Sequence, residues 1–380
     1  MKIMVAMNEF KGCLDSKELS KIISNKIKDI NTDILVHREI IADGGDGFLD
    51  IFKNFSKKTF ETINANNEKI NAKYLVNFEK KEAVIEIAEI VGIKNLKKHQ
   101  RNPYKASTEG LGILINSLLN KGIVHFIIGL GGSATNDCGI GMLSALGFKF
   151  YDKDNKLCST GISDLKRIVK IDDTLKNLRS KEAKFTLICD VSNPLYGENG
   201  TTYIFSEQKG LLKKDFRKVD SYVEKFSNLV FEKYQKDYSK NKGSGAAGGL
   251  GFAFLSFFNA KLVGGSDFMI NYLDLSNKIK NTDILITGEG KLDKQSFMGK
   301  APIEIAKIAK KYNKKVVFLA GSIDDAEIEK LRYKRVIDAS FSIQRGVITI
   351  DRALKKEVAT RNLEKTVEQI ISLLEFNYGK

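Results

Sequence analysis

The chain has 380 residues, of which 42% are hydrophobic and 29% are charged, and its formal net charge is +15. This composition excludes an intrinsically disordered chain, and the length allows two domains with a large core. The positive charge suits a nucleic acid, a membrane surface or an anionic small molecule. Because the lysines form no basic block, we favour a lysine-rich surface with phosphate-binding sites over nucleic-acid binding.

Cysteine and histidine usage gives no sign of a disulfide framework or a metal cluster. The four cysteines lack C-x-x-C spacing, and the three histidines are scattered. The N-terminal apolar run is too short for a signal peptide, and no run of about 18 apolar residues exists. We therefore expect a cytoplasmic protein with reduced thiols and no membrane contact.

The first 55 residues have the pattern of a β-α-β unit. Residues 3–6 predict a strand, and Asp15 or Ser16 can cap a helix that runs to about residue 30. Residues 34–41 predict a second strand, and residues 48–52 begin another helix. This opening is typical of a parallel α/β sheet.

The middle of the chain begins with short alternating strands over residues 59–64, 69–77 and 82–87, which indicate hairpins in a different sheet. The other elements predicted in chain order are a helix from Ser107 to Leu119, a strand over 124–128, a helix over 140–146, strands over 148–152 and 185–189, a helix over about 215–240, and an apolar helix that ends near Phe258. Residues 153–180 are charged and are expected to be rich in loops.

The last third returns to the pattern of the beginning. The predicted elements are strands over 283–287, 316–320 and 335–338, a helix that ends near residue 312, and a C-terminal helix over about 351–376. We therefore expect an α/β fold in which residues 1–55 and 280–380 form one doubly wound domain. Residues 56–279 would be inserted into it as a second domain with its own sheet.

One glycine-rich turn lies between the strand over 124–128 and the helix over 140–146. A tight turn between a strand and a helix N-terminus directs free N–H groups and the helix dipole at one point, which suits an anion. The candidate binding residues of this turn are Gly131, Gly132, Ser133, Thr135, Asn136 and Asp137.

The same turn also fits a dinucleotide fingerprint. Gly129 to Ala134 matches G-x-G-x-x-A, and Asp152 lies about where a ribose-binding acid is expected. Asp137 would repel a pyrophosphate there. The match to the fingerprint nevertheless keeps an NAD-dependent dehydrogenase of a small hydroxy acid open as an alternative. A second alternative is a non-enzymatic nucleotide- or nucleic-acid-binding protein.

Three other clusters follow predicted strands or open a helix. Asp43 and Asp46 lie in a glycine-rich turn, Asp190 ends the strand over 185–189, and Glu289 and Asp293 follow the strand over 283–287 with Lys300 nearby. The stretch from Gly243 to Gly251 is unusually rich in glycine for a helix start. Carboxylates, lysines and backbone N–H groups are the parts of phosphoryl transfer, although neither a P-loop nor an H-R-D kinase loop is present.

The order of these motifs resembles the bacterial type I glycerate kinases over nearly the whole chain. Met7, Asn8 and Glu9 replace the first three residues of the family's usual loop after the first strand. The resemblance is carried by Glu9-Phe-Lys-Gly-Cys, Ala42-Asp-Gly-Gly-Asp-Gly, Ile128-Gly-Leu-Gly-Gly-Ser-Ala-Thr-Asn-Asp, Cys189-Asp-Val-Ser-Asn-Pro-Leu, Gln208-Lys-Gly, Gly243-Ser-Gly-Ala-Ala-Gly-Gly-Leu-Gly-Phe, Ile286-Thr-Gly-Glu-Gly-Lys-Leu-Asp and Gly299-Lys-Ala-Pro.

The resemblance implies phosphorylation of D-glycerate, most naturally at the 2-hydroxyl, with ATP and Mg²⁺. It also implies a flavodoxin-like domain, a second domain with a mixed sheet, and an active site in the cleft between them. The expected partners are small molecules, not nucleic acid or membrane, and the chain would be a monomer or a homodimer.

We expect the following roles within that reaction. Asp190, or else Asp43 or Asp46, would accept or orient the hydroxyl proton, and Glu289 and Asp293 would hold Mg²⁺. Positive charge on phosphate or on the glycerate carboxylate would come from Lys11, Lys209 or Lys300. Backbone N–H groups would come from the turn at Gly131–Asn136 and from the segment that contains Ser244, Gly245, Gly248 and Gly249.

Overall fold

The computed structural model describes residues 1–42, 47–159, 161–297, 299–324 and 335–378. The strands are β1 Lys2–Met7, β2 Leu35–Ile40, β3 Ser56–Ile63, β4 Lys69–Asn77, β5 Glu82–Glu86, β6 His125–Gly129, β7 Lys149–Tyr151, β8 Leu157–Cys158, β9 Lys170–Asp172, β10 Lys184–Ile188, β11 Asn259–Val263, β12 Ile284–Leu292, β13 Lys315–Ile323 and β14 Ala339–Ser342.

The α-helices are α1 Ser16–Ile30, α2 Ala88–Val91, α3 Glu109–Asn120, α4 Ile140–Ala145, α5 Gly161–Leu165, α6 Arg179–Glu182, α7 Thr201–Phe205, α8 Phe216–Tyr234, α9 Leu250–Phe257, α10 Gly265–Tyr272, α11 Leu275–Lys280, α12 Ala301–Lys311, α13 Ile350–Ala353 and α14 Lys356–Tyr378. Short 3₁₀ helices cover Phe48–Ile51, Ile93–Asn95, Lys98–Gln100, Lys213–Asp215, Ala246–Gly248 and Lys294–Phe297.

The chain divides into two compact units. The first unit combines Met1–Asp43 with Gly265–Lys380, and the second unit is Gly44–Gly264. The unit boundaries therefore follow residues 43 and 264. The sequence analysis predicted them after residues 55 and 279. The difference arises because α10 and α11 pack on α12 of the first unit, while the helix Phe48–Ile51 packs on β5 of the second. That the two units are separate domains stays a proposal.

The first unit is built on a parallel sheet of five strands in the order β2-β1-β12-β13-β14. The interior strand β1 has five consecutive buried residues, Ile3 to Met7, as expected for a strand covered on both faces. Helix α1 begins with a reciprocal capping box between Asp15 and Glu18. Its buried stripe of Leu19, Ile23 and Ile27 joins the core that α14 also covers.

Numbered within the first unit, this strand order is 2-1-3-4-5, which is the flavodoxin-like order. The order reverses between β1 and β12, so the loops that follow these two strands diverge to opposite sides of the sheet. In open α/β sheets ligands bind at this switch point, outside the carboxyl ends of the strands. The predicted α/β fold is therefore confirmed, and it indicates where the first unit would bind a ligand.

The second unit has a mixed sheet of six strands in the order β11-β10-β6-β5-β4-β3. Strands β5, β6, β10 and β11 are parallel, while β3, β4 and β5 form the predicted antiparallel hairpins. Phe126 of β6 stacks on Phe185 of β10 with ring centroids 5.0 Å apart, in the core of this unit. A separate antiparallel sheet, β8-β7-β9, lies outside the main sheet.

Several predicted elements were wrong in detail. A strand was expected at 335–338, but the strand in this region is β14, Ala339–Ser342. Asp338, just before it, accepts hydrogen bonds through its carboxylate from Lys310 and from the backbone of Val316. Strand β11 was not predicted. The long helix expected to residue 240 ends at Tyr234, because the next residue, Gln235, has a left-handed φ of +55°. Within the described ranges, none of the helices has both the length and the apolar character that a membrane crossing requires.

Candidate active site

The first unit contains a cavity of about 560 Å³ at its strand-order switch point. Its polar lining includes Asn8 and Lys11 from the loop after β1, Glu289 and Asp293 from the end of β12, and Lys300 before α12. Four of the predicted site residues, Lys11, Glu289, Asp293 and Lys300, therefore lie around one cavity. We refer to it below as the switch-point cavity.

The loop after β1 is held in place by its own backbone. Asn8 donates its N–H to the carbonyl of Gly288 on β12 at 2.9 Å, and Phe10 and Leu14 exchange hydrogen bonds across a tight turn. Gly12, with a φ of +73°, allows the turn at its tip. Lys11 is exposed at this tip and makes no ion pair with any described residue. The turn thus presents the ammonium group of Lys11 to the cavity.

Glu289 and Lys300 form the central ion pair of the cavity. The Lys300 Nζ donates to Glu289 Oε2 at 2.6 Å, and the Glu289 side chain is 6% exposed. The other carboxylate oxygen, Oε1, is buried and has no hydrogen-bond partner among the described residues. An ionised oxygen that is buried without a partner is costly, so Glu289 is suited to receive a ligand or a cation.

Asp293 lines the same cavity. Its carboxylate is 3.6 Å from the Lys291 Nζ, and its N–H donates to the hydroxyl of Ser296. No group of three or more metal-ligating side chains occurs in the part of the chain that the structure describes. A metal ion held by Glu289 and Asp293 would therefore need oxygen ligands from a substrate as well.

The other wall of the cavity is apolar, and the sequence did not predict it. Ile343, Val347, Ile350 and Leu354 follow β14 and line this wall. Their position after the last strand of a parallel sheet is the signal that could have identified them, since such loops gather at the ligand-binding edge. We refer to these four side chains as the apolar wall.

In the second unit, Lys209 lies buried beside the glycine-rich turn after β6. Its Nζ donates to Ser133 Oγ at 3.0 Å and to the carbonyl of Thr135 at 2.7 Å. Burial lowers the pKa of Lys209 to about 7, and the nearby Asp137 carboxylate partly opposes this change. Lys209 therefore anchors the turn from inside.

Asp137 is also directed into the protein. Its carboxylate accepts hydrogen bonds from the N–H and hydroxyl of Thr108 and from the N–H groups of Gly139 and Gly141. Burial raises the pKa of this carboxyl, and the hydrogen bonds from Thr108, Gly139 and Gly141 lower it in part. These contacts favour a structural role for Asp137, joining α3 to α4.

The remaining residues of the turn differ in their access to solvent. Thr135 and Asn136 are fully buried, and Thr135 Oγ1 and Asn136 Nδ2 have no hydrogen-bond partner among the described residues. Gly131 and Gly132 are accessible, and their N–H groups donate to no acceptor within the described ranges. Within this turn, a small anion could approach these two N–H groups.

The glycines of the segment 243–249 serve close packing of backbones. A Cβ on Gly248 would lie 2.0 Å from the carbonyl oxygen of Thr135, and Gly248 accepts a hydrogen bond from the N–H of Cys138. Ser244 donates to the carbonyl of Tyr238, and Gly245 donates to that of Asn193. Ser244, Gly245, Gly248 and Gly249 are buried, so this geometry favours support of the turn after β6 over ligand binding.

Asp190 is exposed two residues beyond the end of β10, next to the turn after β6 in the sheet. Asp43 and Asp46 lie outside the described residues. The roles expected for all three carboxylates stay predictions.

The dinucleotide interpretation loses its structural basis. In a dinucleotide fold the strand after the glycine-rich turn and its helix belongs to the same parallel sheet. Here β7 belongs to the separate antiparallel sheet, and Asp152 accepts hydrogen bonds from Asp154 and Lys156 within the turn between β7 and β8.

Comparison with known proteins agrees with this picture of an α/β enzyme with charged strand ends. The model of the glycerate kinase family matches residues 3–375. A glycerate kinase of Halalkalibacterium halodurans is 32% identical over 95% of this chain and 97% of its own length. The glycerate 2-kinase of Escherichia coli K12 is 33% identical over 97% of this chain and 98% of its own length.

A solved structure shows the same fold. The crystal structure of a protein from Salmonella typhimurium LT2, which has the provisional name glycerate kinase 2, covers 100% of both chains at 32% identity with a TM-score of 0.84. Fold and relatives together define the protein as a kinase. The chain belongs to the glycerate kinase family, and the resemblance found in the sequence is confirmed.

Proposed function

We propose that this kinase transfers the γ-phosphoryl group of ATP to the 2-hydroxyl of D-glycerate and forms 2-phospho-D-glycerate and ADP. The observation that carries this proposal is the full-length relationship to proteins named glycerate kinase and, in E. coli, glycerate 2-kinase. The geometry adds a cavity in which lysines and carboxylates meet at the strand ends, as phosphoryl transfer requires.

In this reaction the glycerate oxygen forms a bond to the γ-phosphorus while the bond from that phosphorus to the bridging oxygen of ADP breaks. Negative charge then develops on the oxygens of the leaving ADP. Lys11, which lacks an ion pair among the described residues, and Lys300 would neutralise this charge in the switch-point cavity. We assign Lys209 a supporting role, because its ammonium group is buried inside the second unit and donates to Ser133 and Thr135.

The residues present fit a magnesium ion. Mg²⁺ in phosphoryl-transfer sites is usually held by one or two carboxylates together with substrate phosphates. Glu289, with its unpartnered buried oxygen, and Asp293 line one cavity and would supply those carboxylates. When bound, the ion would neutralise phosphate charge.

We assign proton removal from the glycerate hydroxyl to Asp190. Its carboxylate is exposed at the carboxyl end of β10, where a substrate could reach it. Asp43 and Asp46 are the alternatives. The accessible N–H groups of Gly131 and Gly132 would bind an anionic group of the substrate near this position. We place this reaction in the cytoplasm, since all four cysteines are free thiols.

A coupled assay of ADP release tests the proposal. The purified protein is incubated with ATP and Mg²⁺, with and without D-glycerate, and L-glycerate serves as the matched control for the acceptor. We expect ADP release to depend on D-glycerate and on Mg²⁺. Release that is equal with and without D-glycerate would contradict the proposed activity.

A further inference from the structure

We propose that the switch-point cavity is the nucleotide site, with the purine base against the apolar wall and the phosphates toward Lys11 and Lys300. This assignment rests on the proposed use of ATP and adds where and how the first unit binds it. Three features of the cavity support it: its size, the exposure of its apolar wall, and the presence of apolar and charged groups in one lining.

The cavity is too large for a three-carbon acid alone. Its volume of about 560 Å³ falls within the roughly 300–1,000 Å³ that is typical of pockets for drug-sized ligands. A nucleoside triphosphate belongs to that class of size, whereas glycerate would leave most of the space unfilled. The volume therefore favours the larger of the two substrates.

Three of the side chains of the apolar wall are unusually exposed to solvent for aliphatic residues. Val347 is fully exposed, Ile350 is 77% exposed and Leu354 is 43% exposed, although all three are large aliphatic side chains close together in the chain. Clustered exposed apolar side chains at the rim of a cavity indicate a binding surface. A purine base can cover such side chains, but a hydroxy acid with a polar group on every carbon cannot.

Charged groups line the same cavity. Lys11, Lys291 and Lys300 bring positive charge there, and Glu289 and Asp293 bring the carboxylates that suit a phosphate-bound cation. The buried Oε1 of Glu289, which has no partner among the described residues, is an independent sign that a ligand completes the charged part of the lining. A cavity that carries both apolar and charged side chains matches a base joined to phosphates.

The position in the fold gives the same assignment. The cavity is lined by the loops after β1 and β12, the two strands at which the order of the flavodoxin-like sheet reverses. Nucleotides bind at this point in doubly wound sheets because loops that diverge to opposite faces leave a crevice between them.

Direct binding measurements test the assignment on the full-length protein without any need for turnover. The dissociation constants of ADP and of inorganic tripolyphosphate are measured by isothermal titration calorimetry for the wild type, Val347→Asn and Ile350→Asn. Leu178→Asn, which changes a 71% exposed leucine of the second unit, is the matched control. Circular dichroism of each variant shows that it is folded, and the two wall variants give independent readings.

We expect each wall variant to raise the Kd of ADP by at least about tenfold, because the base loses apolar contact. The Kd of tripolyphosphate, which has no base, should stay within about twofold, and Leu178→Asn should change neither constant. An unchanged Kd of ADP in both wall variants, or no binding of ADP to the wild type, would overturn the assignment. If ADP binds as expected but D-glycerate is not phosphorylated, the proposed function fails while the nucleotide site stands.

Discussion

Lys300 donates a 2.6 Å hydrogen bond to Glu289 Oε2, while Glu289 Oε1 is buried and lacks a partner within the described ranges. The lysine therefore satisfies only one of the two carboxylate oxygens. A buried carboxylate oxygen without a partner costs free energy, which a ligand or cation bound to that oxygen would offset. We infer that Glu289 is placed for a ligand and that Lys300 orients it.

Glu289→Gln should reduce activity far more than stability. The amide retains the shape and one acceptor for Lys300, but it loses the charge that a phosphate-bound Mg²⁺ would require. We expect kcat to fall by at least about 100-fold, and half-maximal activity to need about tenfold more Mg²⁺. Steady-state kinetics over a range of Mg²⁺ concentrations measure both effects.

The control for Glu289→Gln is Glu304→Gln. Glu304 pairs with Lys307 at 2.7 Å on the outer face of α12, and neither residue lines the cavity. Its kinetics should match those of the wild type. A kcat for Glu289→Gln within about threefold of wild type would refute the assigned role.

Asp190→Asn tests the proposed proton acceptor. The substitution preserves the size of the side chain and removes its basicity, so we expect kcat to fall by about 100-fold or more while the KM for ATP changes little. Glu198→Gln, in an exposed loop of the same unit, is the control. Turnover of Asp190→Asn within a few-fold of the wild type would transfer this role to another carboxylate.

The buried Lys209 should give the stability a measurable dependence on pH. Its pKa is about 7 in the folded chain and near its ordinary 10.5 in the unfolded chain. Between these values the unfolded chain holds a proton that the folded chain has released, so the free energy of unfolding rises with pH in this window. The contribution of Lys209 has a slope of up to about 1.4 kcal/mol per pH unit.

Urea unfolding at several pH values from 7 to 10 measures this slope by comparison with Lys209→Met, which lacks the titrating group. Lys213→Met is the control, because the Lys213 side chain is 74% exposed. We expect the difference in the free energy of unfolding between wild type and Lys209→Met to grow with pH, and that for Lys213→Met to stay constant. Parallel curves for all three proteins would show that Lys209 titrates normally.

Gly248→Ala tests whether the segment 243–249 supports the turn after β6. Gly248 has a φ of +72°, and a Cβ there would lie 2.0 Å from the carbonyl oxygen of Thr135. Gly122 has a similar φ of +84° but open space around it, so Gly122→Ala measures the backbone strain alone. We expect Gly248→Ala to lower the free energy of unfolding by at least about 2 kcal/mol more than Gly122→Ala. Equal losses would mean that the contact with Thr135 can relax freely.

The sequence predicted the fold where local patterns were strong. The β-α-β pattern at both ends led to the parallel sheet of the first unit, and the alternation over 59–87 led to the hairpins of the second. It failed at β14, where the residues Ala339-Ser-Phe-Ser342 have no apolar run. The short strand β11 was hidden because its apolar residues continue those of α9.

The sequence was less informative about the roles of single residues. Glu289 and Lys300 could be identified because both follow the glycine-rich end of a strand, but their pairing could not. Asp137 was interpreted as a ligand-binding group because the sequence does not show its contact with Thr108. The two residues are 29 positions apart, and no local pattern joins them. The apolar wall was missed because Val347 and Ile350 look like core residues until the structure shows their exposure.

Phosphorus NMR of the reaction product tests the central claim most directly. The protein is incubated with ATP, Mg²⁺ and D-glycerate, and the proton-coupled ³¹P spectrum of the new phosphate ester is recorded. A phosphate on the 2-oxygen couples to the single proton on that carbon and gives a doublet, which is the predicted result. A triplet from the 3-phosphate, or the absence of any new ester, would contradict the account.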